Sequence, residues 1–273
     1  MIALLRLEAA GVLRTRVAVV SVAAAAALVG LFVALASRES AIVSFTGFGR
    51  VITGTGLAAL LFLPLLSMFS TVQSVVAARQ QGVLEWYLSH PVSRDAAFLA
   101  MLVPRLVAVA GPALAAVLGL ALAALGFGEP VGLAAVARLA AILVGQALCF
   151  GALGMWISVG APSVEQALVR GVGLWLTCAM VLDFALVGAM LRWRLPPHLV
   201  FAISAIDPIQ AGRLGLLAGA DAELGVLGPV GTWVTTTFGG TWTTVYAIGW
   251  PLALAALAGL AARRAFVRRD LHA

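Results

Sequence analysis

Long apolar runs separated by short polar intervals dominate the hydrophobic pattern of this chain. A helix rises about 1.5 Å per residue, so a run of about 20 apolar residues crosses the roughly 30 Å of hydrocarbon in a bilayer. Six runs meet that length, at residues 17–36, 57–78, 106–127, 139–159, 171–191 and 241–262. The pattern predicts an all-α polytopic membrane protein with six transmembrane helices in one domain over residues 1–273.

The most polar interval between two of these runs is the coupling segment, residues 79–94, with the sequence RQQGVLEWYLSHPVSR. Its apolar residues recur at helical spacing and predict a short amphipathic helix. Pro91 disfavours a helical conformation at His90, so the helix should end there, and Ser93 is positioned to cap a second helix. Such an element lies along a membrane face or docks into the groove of a partner, and a plain solvated loop is the alternative.

Three amide or carboxyl side chains fall inside the predicted spans, namely Gln73, Gln146 and Asp183. A carboxylate at the centre of a span costs about 2.5–3.5 kcal/mol on insertion scales, so Asp183 should be protonated, paired or facing a hydrated cavity. A functional role is one interpretation, and a structural pairing with Arg192 or Thr177 is the other. Residues 192–240 are interrupted by prolines and charges, which predicts a long extracytoplasmic loop without a seventh span.

Composition supports a lipid environment and limits the chemistry of the chain. The sequence is 63% hydrophobic and 10% charged, with a mean hydropathy of +1.09, whereas soluble domains carry about 25% charged residues. All 17 basic residues are arginine. Because a phosphate-binding P-loop requires a lysine, this chain is not expected to hydrolyse ATP by that route, and the ATPase should be a separate subunit.

The arginines also predict an orientation. They are scattered at the ends of apolar runs, which favours a role in membrane topology over nucleic-acid binding. With the N-terminus inside, eleven arginines face the cytoplasm and six face the other side. The positive-inside rule therefore places both termini and the coupling segment in the cytoplasm.

Two other functional classes receive less support from the sequence. An ion-driven secondary transporter usually shows inverted repeats with acids at the midplane, and here one intramembrane acid occurs without a convincing repeat. A redox protein or membrane enzyme would need matched histidine or cysteine ligands or a catalytic motif. The histidines lie outside the predicted spans, and Cys149 and Cys178 lack the spacing of paired metal ligands.

The segment GVLEWYLSHPVSR after the second span resembles the ABC-2 type permeases, the membrane subunits of ATP-driven transporters. The resemblance implies the type V ABC permease fold, a homodimer in the bacterial inner membrane, and a cytoplasmic ABC ATPase that carries ATP and Mg²⁺. This chain itself would then hold no cofactor. By the same resemblance, the residues that contact the ATPase are Glu85, Trp86, Tyr87 and Arg94.

Three further segments are similar to a narrower branch of that family, the NosY permeases of NosDFY complexes. They are GLWLTCAMVLDFALVGAML, AISAIDPIQAGRLGLL and LGVLGPVG. This branch serves copper-site maturation of nitrous oxide reductase, with a NosF-like ATPase and a periplasmic β-helical NosD-like partner. The resemblance implies contact with that partner at Asp207, Arg213 and Leu214. Simple turn chemistry is the alternative for Asp207, and a generic ABC-2 exporter of lipid, drug or peptide is the alternative function.

Overall fold

The computed structural model describes residues 2–39, 47–128, 132–193, 196–220 and 228–268. This part of the chain forms helices joined by turns and contains no β-strand. The helices are α1 (Ile2–Leu13), α2 (Arg16–Glu39), α3 (Gly47–Val72), α4 (Ser74–Gln80), α5 (Val83–Ser89), α6 (Arg94–Gly126), α7 (Leu133–Gly160), α8 (Val164–Leu176), α9 (Leu182–Trp193), α10 (Pro197–Ser204), α11 (Pro208–Ala220) and α12 (Gly228–Arg268).

Five helical stretches of the described chain are long and apolar enough to cross a membrane. They are Gly54–Gln80, Arg94–Gly126, Leu133–Gly160, Val164–Trp193 and Thr236–Arg268. Four of them contain a whole predicted run, and Arg94–Gly126 covers the run 106–127 except for its last residue. Two bent pairs of helices raise the number to as many as seven if each pair is one span. A multi-pass architecture follows, whereas a total of six spans and the orientation of the termini remain predictions.

The first bent pair joins α1 to α2 at an angle of 60°. The predicted run 17–36 lies within α2, so its status as a span depends on this pair. The second pair joins α10 to α11 at 119° and lies inside the interval 192–240. We refer to α10 and α11 together as the α10–α11 hairpin.

The interval 192–240, predicted to be an extracytoplasmic loop, is largely helical where the structure describes it, and its side of the membrane stays a prediction. It contains the α10–α11 hairpin and the beginning of α12, while residues 194–195 and 221–227 lie outside the described part of the chain. Helix α11 packs against α3, α7 and α12, and Ile209 and Ala211 are buried in those contacts. A proline is compatible with a helix here, because Pro208 occupies the first position of α11, where its missing N–H costs no hydrogen bond.

Helix α7 is the centre of the packing, in contact with α3, α6 and α12. A Cβ added to Gly154 would lie 3.0 Å from the carbonyl oxygen of Met68, and one added to Gly151 would lie 2.8 Å from Ser67 Oγ. The small residues of α7 thus let the backbone of α3 approach closely, as is common between membrane helices.

A π-helical turn, Thr177–Val181, interrupts the span Val164–Trp193 between α8 and α9. Such turns are rare and concentrate at functional sites, because they shift the helical register and change which carbonyl groups are bonded within the helix. Asp183 lies two residues after this turn, in the first turn of α9. The π-helical turn is therefore adjacent to the carboxylate that was predicted inside the membrane.

Candidate functional site

The coupling segment forms the helix, stop and cap that its sequence predicts. Gly82 adopts a left-handed φ of 70° between α4 and α5, a conformation that strains other residues. His90 is extended with a ψ of 160° before Pro91, which ends α5. Ser93 Oγ then accepts a hydrogen bond of 3.2 Å from the backbone N–H of Ala96 and caps α6.

Helix α5 has one face buried in the protein and another exposed. Leu84 is 1% exposed and belongs to an apolar cluster that includes Phe98, Met101 and Phe266 from α6 and α12. On the other face, Glu85 is exposed and Trp86 is 54% exposed. One face of this short helix is thus packed against α6 and α12, and the opposite face is exposed at the surface of the chain.

A carboxylate from the first helix holds the buried face of α5. The Tyr87 hydroxyl donates to Glu8 Oε1 at 2.6 Å, and Arg105 Nη1 donates to Glu8 Oε2 at 2.9 Å. We call this set, Glu8 with Tyr87 and Arg105, the Glu8 bridge. Burial, the hydrogen bond to Glu8 and the negative charge of Glu8 all raise the pKa of the Tyr87 phenol above its ordinary value. The bridge joins α1, α5 and α6 at one point.

The four residues predicted to contact an ATPase separate into two groups. Glu85 and Trp86 lie exposed, and the Trp86 ring packs against that of His90 with centroids 4.7 Å apart. Tyr87 is bound in the Glu8 bridge, and Arg94 Nη1 donates to the carbonyl oxygen of Val267 at 2.8 Å. Tyr87 and Arg94 therefore hold the coupling segment to its own chain.

Sequence reasoning did not single out Glu8 and Arg105. Glu8 is the only acidic residue among the first 16, a stretch that also carries Arg6, Arg14 and Arg16. An isolated acid in an apolar and basic helix is a signal that it has a specific partner. No local pattern identifies that partner, because Tyr87 and Arg105 are 79 and 97 residues away.

Asp183 is paired with residues of α11. Arg213 Nη1 donates to Asp183 Oδ2, Gln210 Nε2 donates to Asp183 Oδ1, and Arg213 Nη2 donates to the carbonyl oxygen of Ala179 in the π-helical turn at 3.4 Å. The proposed partners Arg192 and Thr177 are replaced by Arg213 and Gln210, and the Thr177 hydroxyl instead donates to the Gly173 carbonyl in its own helix at 2.8 Å.

Asp207, the residue before α11, and Gln146, in α7, are both buried. Asp207 Oδ1 accepts a 2.9 Å hydrogen bond from the backbone N–H of Ile209, and Gln146 Nε2 donates to the carbonyl oxygen of Pro208. Within the described residues, Asp207 Oδ2 and Gln146 Oε1 have no hydrogen-bond partner. The Asp207 contact is the turn chemistry expected of Asp before Pro, and a side chain 1% exposed offers no surface to an external protein.

The three polar residues predicted inside the membrane therefore occupy three separate places. Gln73 lies in the turn between α3 and α4, beside a cavity of about 340 Å³ that Glu8 and Arg105 also line. Gln146 is hydrogen-bonded to Pro208 at the start of α11, and Asp183 pairs with Arg213 in the middle of α11.

Asp183 and Arg213 border a cleft of about 740 Å³ between α3, α9, the α10–α11 hairpin and α12. We call it the ion-pair cleft. Leu214, predicted to contact a partner, is one of its lining residues together with Gln210 and Tyr246. The Tyr246 hydroxyl donates a hydrogen bond to the Ala205 carbonyl oxygen, which belongs to another residue lining the cleft. Most of the remaining lining is aliphatic or aromatic.

No cluster of three or more metal-binding side chains occurs among residues for which the structure gives positions. Cys149 and Cys178 are free thiols buried in the same apolar cluster. Neither observation identifies a cofactor site, and the expectation that ATP and Mg²⁺ bind to another subunit remains a prediction.

Comparison with known proteins gives one result for the whole chain. A family model described as "ABC-2 family transporter protein" matches residues 3–271. No curated protein matches the sequence. The matched range includes both α5 and the α10–α11 hairpin.

Proposed function

We propose that α5 is the helix on which the ATPase acts, because this chain belongs to the ABC-2 family of transporter proteins. As a member of that family, it is a multi-pass membrane permease of an ABC transporter with an ATPase partner. The observation that carries the proposal is the division of α5 into a buried face and an exposed face. An aromatic side chain with an adjacent acid on a fixed short helix is suited to a groove on another protein.

The proposed contact residues are Glu85 and Trp86. Trp86 offers a large apolar ring that is 54% exposed, and Glu85 offers a charge that selects a basic partner. Tyr87 and Arg94 serve as anchors in this proposal, since their polar groups bond to Glu8 and Val267. A push on α5 would reach α1 and α6 through the Glu8 bridge, and α12 through the cluster around Leu84.

The test is affinity purification of the tagged chain in mild detergent, with identification and quantification of the ATPase that co-purifies. Trp86→Ala should lower the recovered ATPase at least about tenfold, because a central aromatic anchor contributes roughly 2 kcal/mol or more to an interface. Glu85→Arg should lower ATP-dependent activity while the permease still inserts. Trp242→Ala is the matched control, since Trp242 lies on α12 and is also 54% exposed.

Undiminished ATPase recovery and full ATP-dependent activity in both α5 variants would remove α5 from the interface. An equal loss in Trp242→Ala would show that the effect comes from general damage to the protein. Absence of any ATPase from the purified wild-type complex would contradict the coupling proposal itself.

We further propose a NosY-like role in the bacterial inner membrane, in which a homodimer works with a NosF-like ATPase and a periplasmic NosD-like β-helical protein in copper-site maturation of nitrous oxide reductase. The support is the similarity of residues 173–191, 202–217 and 224–231 to that branch, although 224–227 lie outside the described residues. In this proposal Asp207 and Arg213 shape the α10–α11 hairpin from within, and the hairpin presents other side chains to the partner.

The same purification distinguishes this role from a generic ABC-2 exporter of lipid, drug or peptide. Recovery of a periplasmic β-helical protein together with the ATPase is the result expected for the NosY-like role. Recovery of the ATPase alone favours the generic exporter. After the masses of detergent and co-purified subunits are subtracted, light scattering of the purified complex should leave the mass of two copies of this chain.

A further inference from the structure

We propose that the ion-pair cleft binds a phospholipid with a primary ammonium and a phosphate in its head group, as in phosphatidylethanolamine. The proposal concerns a ligand site and does not depend on the ATPase contact at α5. It is based on the two charges at the cleft, on the apolar character of the remaining lining, and on the position of the opening.

The two charges are paired and still accessible. The side chains of Arg213 and Asp183 are 27% and 28% exposed. Charged side chains within membrane proteins are costly, and those that occur usually face a cavity or a ligand path. An Arg–Asp pair sealed between helices would serve packing alone, whereas this pair borders an open volume of about 740 Å³.

Both members of the pair retain capacity for further hydrogen bonds. A guanidinium has five N–H donors and a carboxylate has about four acceptor sites. The bonds from Arg213 to Asp183 and Ala179 use two of those donors, and Asp183 accepts from Arg213 and Gln210. An incoming phosphate can therefore bond to Arg213 while an adjacent ammonium donates to Asp183, without breaking the pair.

The charge pattern selects the head group. An ammonium with N–H donors complements Asp183, whereas the quaternary ammonium of phosphatidylcholine has none to give. Phosphatidylglycerol supplies the phosphate and offers Asp183 neutral glycerol hydroxyls, whose hydrogen bonds are weaker than those of a cation. Of these three head groups, only phosphatidylethanolamine combines a phosphate for Arg213 with a charged N–H donor for Asp183.

The rest of the cleft suits acyl chains. Its walls include Leu57 and Leu61 from α3 and Leu186 from α9, and its volume is within the roughly 300–1,000 Å³ of typical ligand sites. At the margin, Phe62 and Val187 are 54% and 55% exposed. Exposed apolar residues on a membrane-spanning protein face hydrocarbon or another membrane subunit, and in this proposal the cleft opens toward the lipid tails.

The depth of the pair distinguishes this site from ordinary lipid contact. Asp183 precedes Trp193, the last residue of its span, by ten positions, which is about 15 Å along a helix. In this proposal a head group at Asp183 lies well inside the span and is surrounded by protein. The site then selects the lipid by hydrogen bonds and not by surface charge alone.

The experiment is native mass spectrometry of the full chain, purified in mild detergent and exposed to equal amounts of phosphatidylethanolamine, phosphatidylcholine and phosphatidylglycerol. Wild type should retain phosphatidylethanolamine about tenfold more than either competitor, the factor expected from a charge-assisted hydrogen bond. The neutral double variant Asp183→Asn with Arg213→Gln should lose that preference. The control double variant Asp95→Asn with Arg263→Gln removes an ion pair outside the cleft and should keep it.

A second variant keeps the test valid if the neutral double variant does not fold. Val187→Trp changes an exposed position at the margin of the cleft, so it should fold and lower phosphatidylethanolamine occupancy by narrowing the entrance. A phosphatidylethanolamine with a photoreactive acyl chain should label α3 and α9.

Equal retention of the three lipids by wild type would overturn the proposal, as would a preference that survives both cleft variants. Labelling confined to helices outside the cleft would overturn it as well. So would disulfide formation between two copies of Met190→Cys, because a second copy would then occupy the opening.

Discussion

Two carboxylates in this chain join helices that are far apart in sequence, and their surroundings differ. Glu8 is held between Tyr87 and Arg105 beside the smaller cavity of about 340 Å³, and the side chains of the Glu8–Arg105 pair are 10% and 17% exposed. The Asp183–Arg213 pair is 28% and 27% exposed and borders the ion-pair cleft. An ion pair between a carboxylate and an arginine thus holds α5 in place at Glu8, and a similar pair presents accessible charge at Asp183.

The sharpest test of this difference is Glu8→Ala. The substitution leaves the Arg105 charge and the Tyr87 hydroxyl poorly solvated, and we expect the free energy of unfolding to fall by about 3 kcal/mol. Equilibrium unfolding of the detergent-solubilised chain measures the change. Glu85→Ala is the matched control and should leave stability nearly unchanged, because Glu85 is exposed. Equal stability of both variants would contradict an enclosed bridge.

The Asp183–Arg213 pair should respond differently when its charges are removed together. Arg213→Gln alone leaves Asp183 with one named donor, Gln210, and should cost about 2 kcal/mol of unfolding free energy. Adding Asp183→Asn should restore at least half of that loss and leave a net cost of about 1 kcal/mol or less, since no charge then remains to be desolvated.

The same unfolding assay measures the two variants side by side. A double variant as unstable as Arg213→Gln alone would mean that the pair is a packing element whose shape matters more than its charge. That outcome would remove the contrast with the Glu8 bridge.

The two regions also differ in how far sequence could predict them. The coupling segment follows from local rules: helical spacing, a residue before proline, and a serine at the cap of α6. The contacts of its buried face do not, because Glu8 reaches α5 across 79 residues. Local chemistry specifies where α5 begins and ends, and tertiary packing decides which of its residues remain exposed.

The α10–α11 hairpin shows the opposite case. Proline and charge between residues 192 and 240 suggested a loop, yet Pro208 begins a helix and Asp207 caps it. The charge of Arg213 seemed to favour solvent because its partner, Asp183, lies 30 residues earlier in another helix. A polar residue in an apolar stretch signals either a loop or a pair, and sequence alone does not distinguish them.

The smallest expected effect is a shift in the titration of one phenol. The chain has two tyrosines, so Tyr246→Phe leaves Tyr87 as the only source of the tyrosinate absorbance near 295 nm. In that background Tyr87 should titrate above the ordinary pKa of about 10. Glu8→Gln should lower the pKa of Tyr87 toward that value without reaching it, because burial is the larger cause of the shift.

The sign of the linked stability follows from this shift. The unfolded phenol loses its proton near pH 10, while the folded phenol keeps it to higher pH. Its contribution is therefore fully present below about pH 10 and decreases as the pH rises further. Unfolding measured between pH 9 and 11 should become easier with pH, and Tyr87→Phe in the Tyr246→Phe background should weaken that dependence. A Tyr87 that titrates at its ordinary value would mean that the Glu8 bridge is open to water, like the Asp183–Arg213 pair.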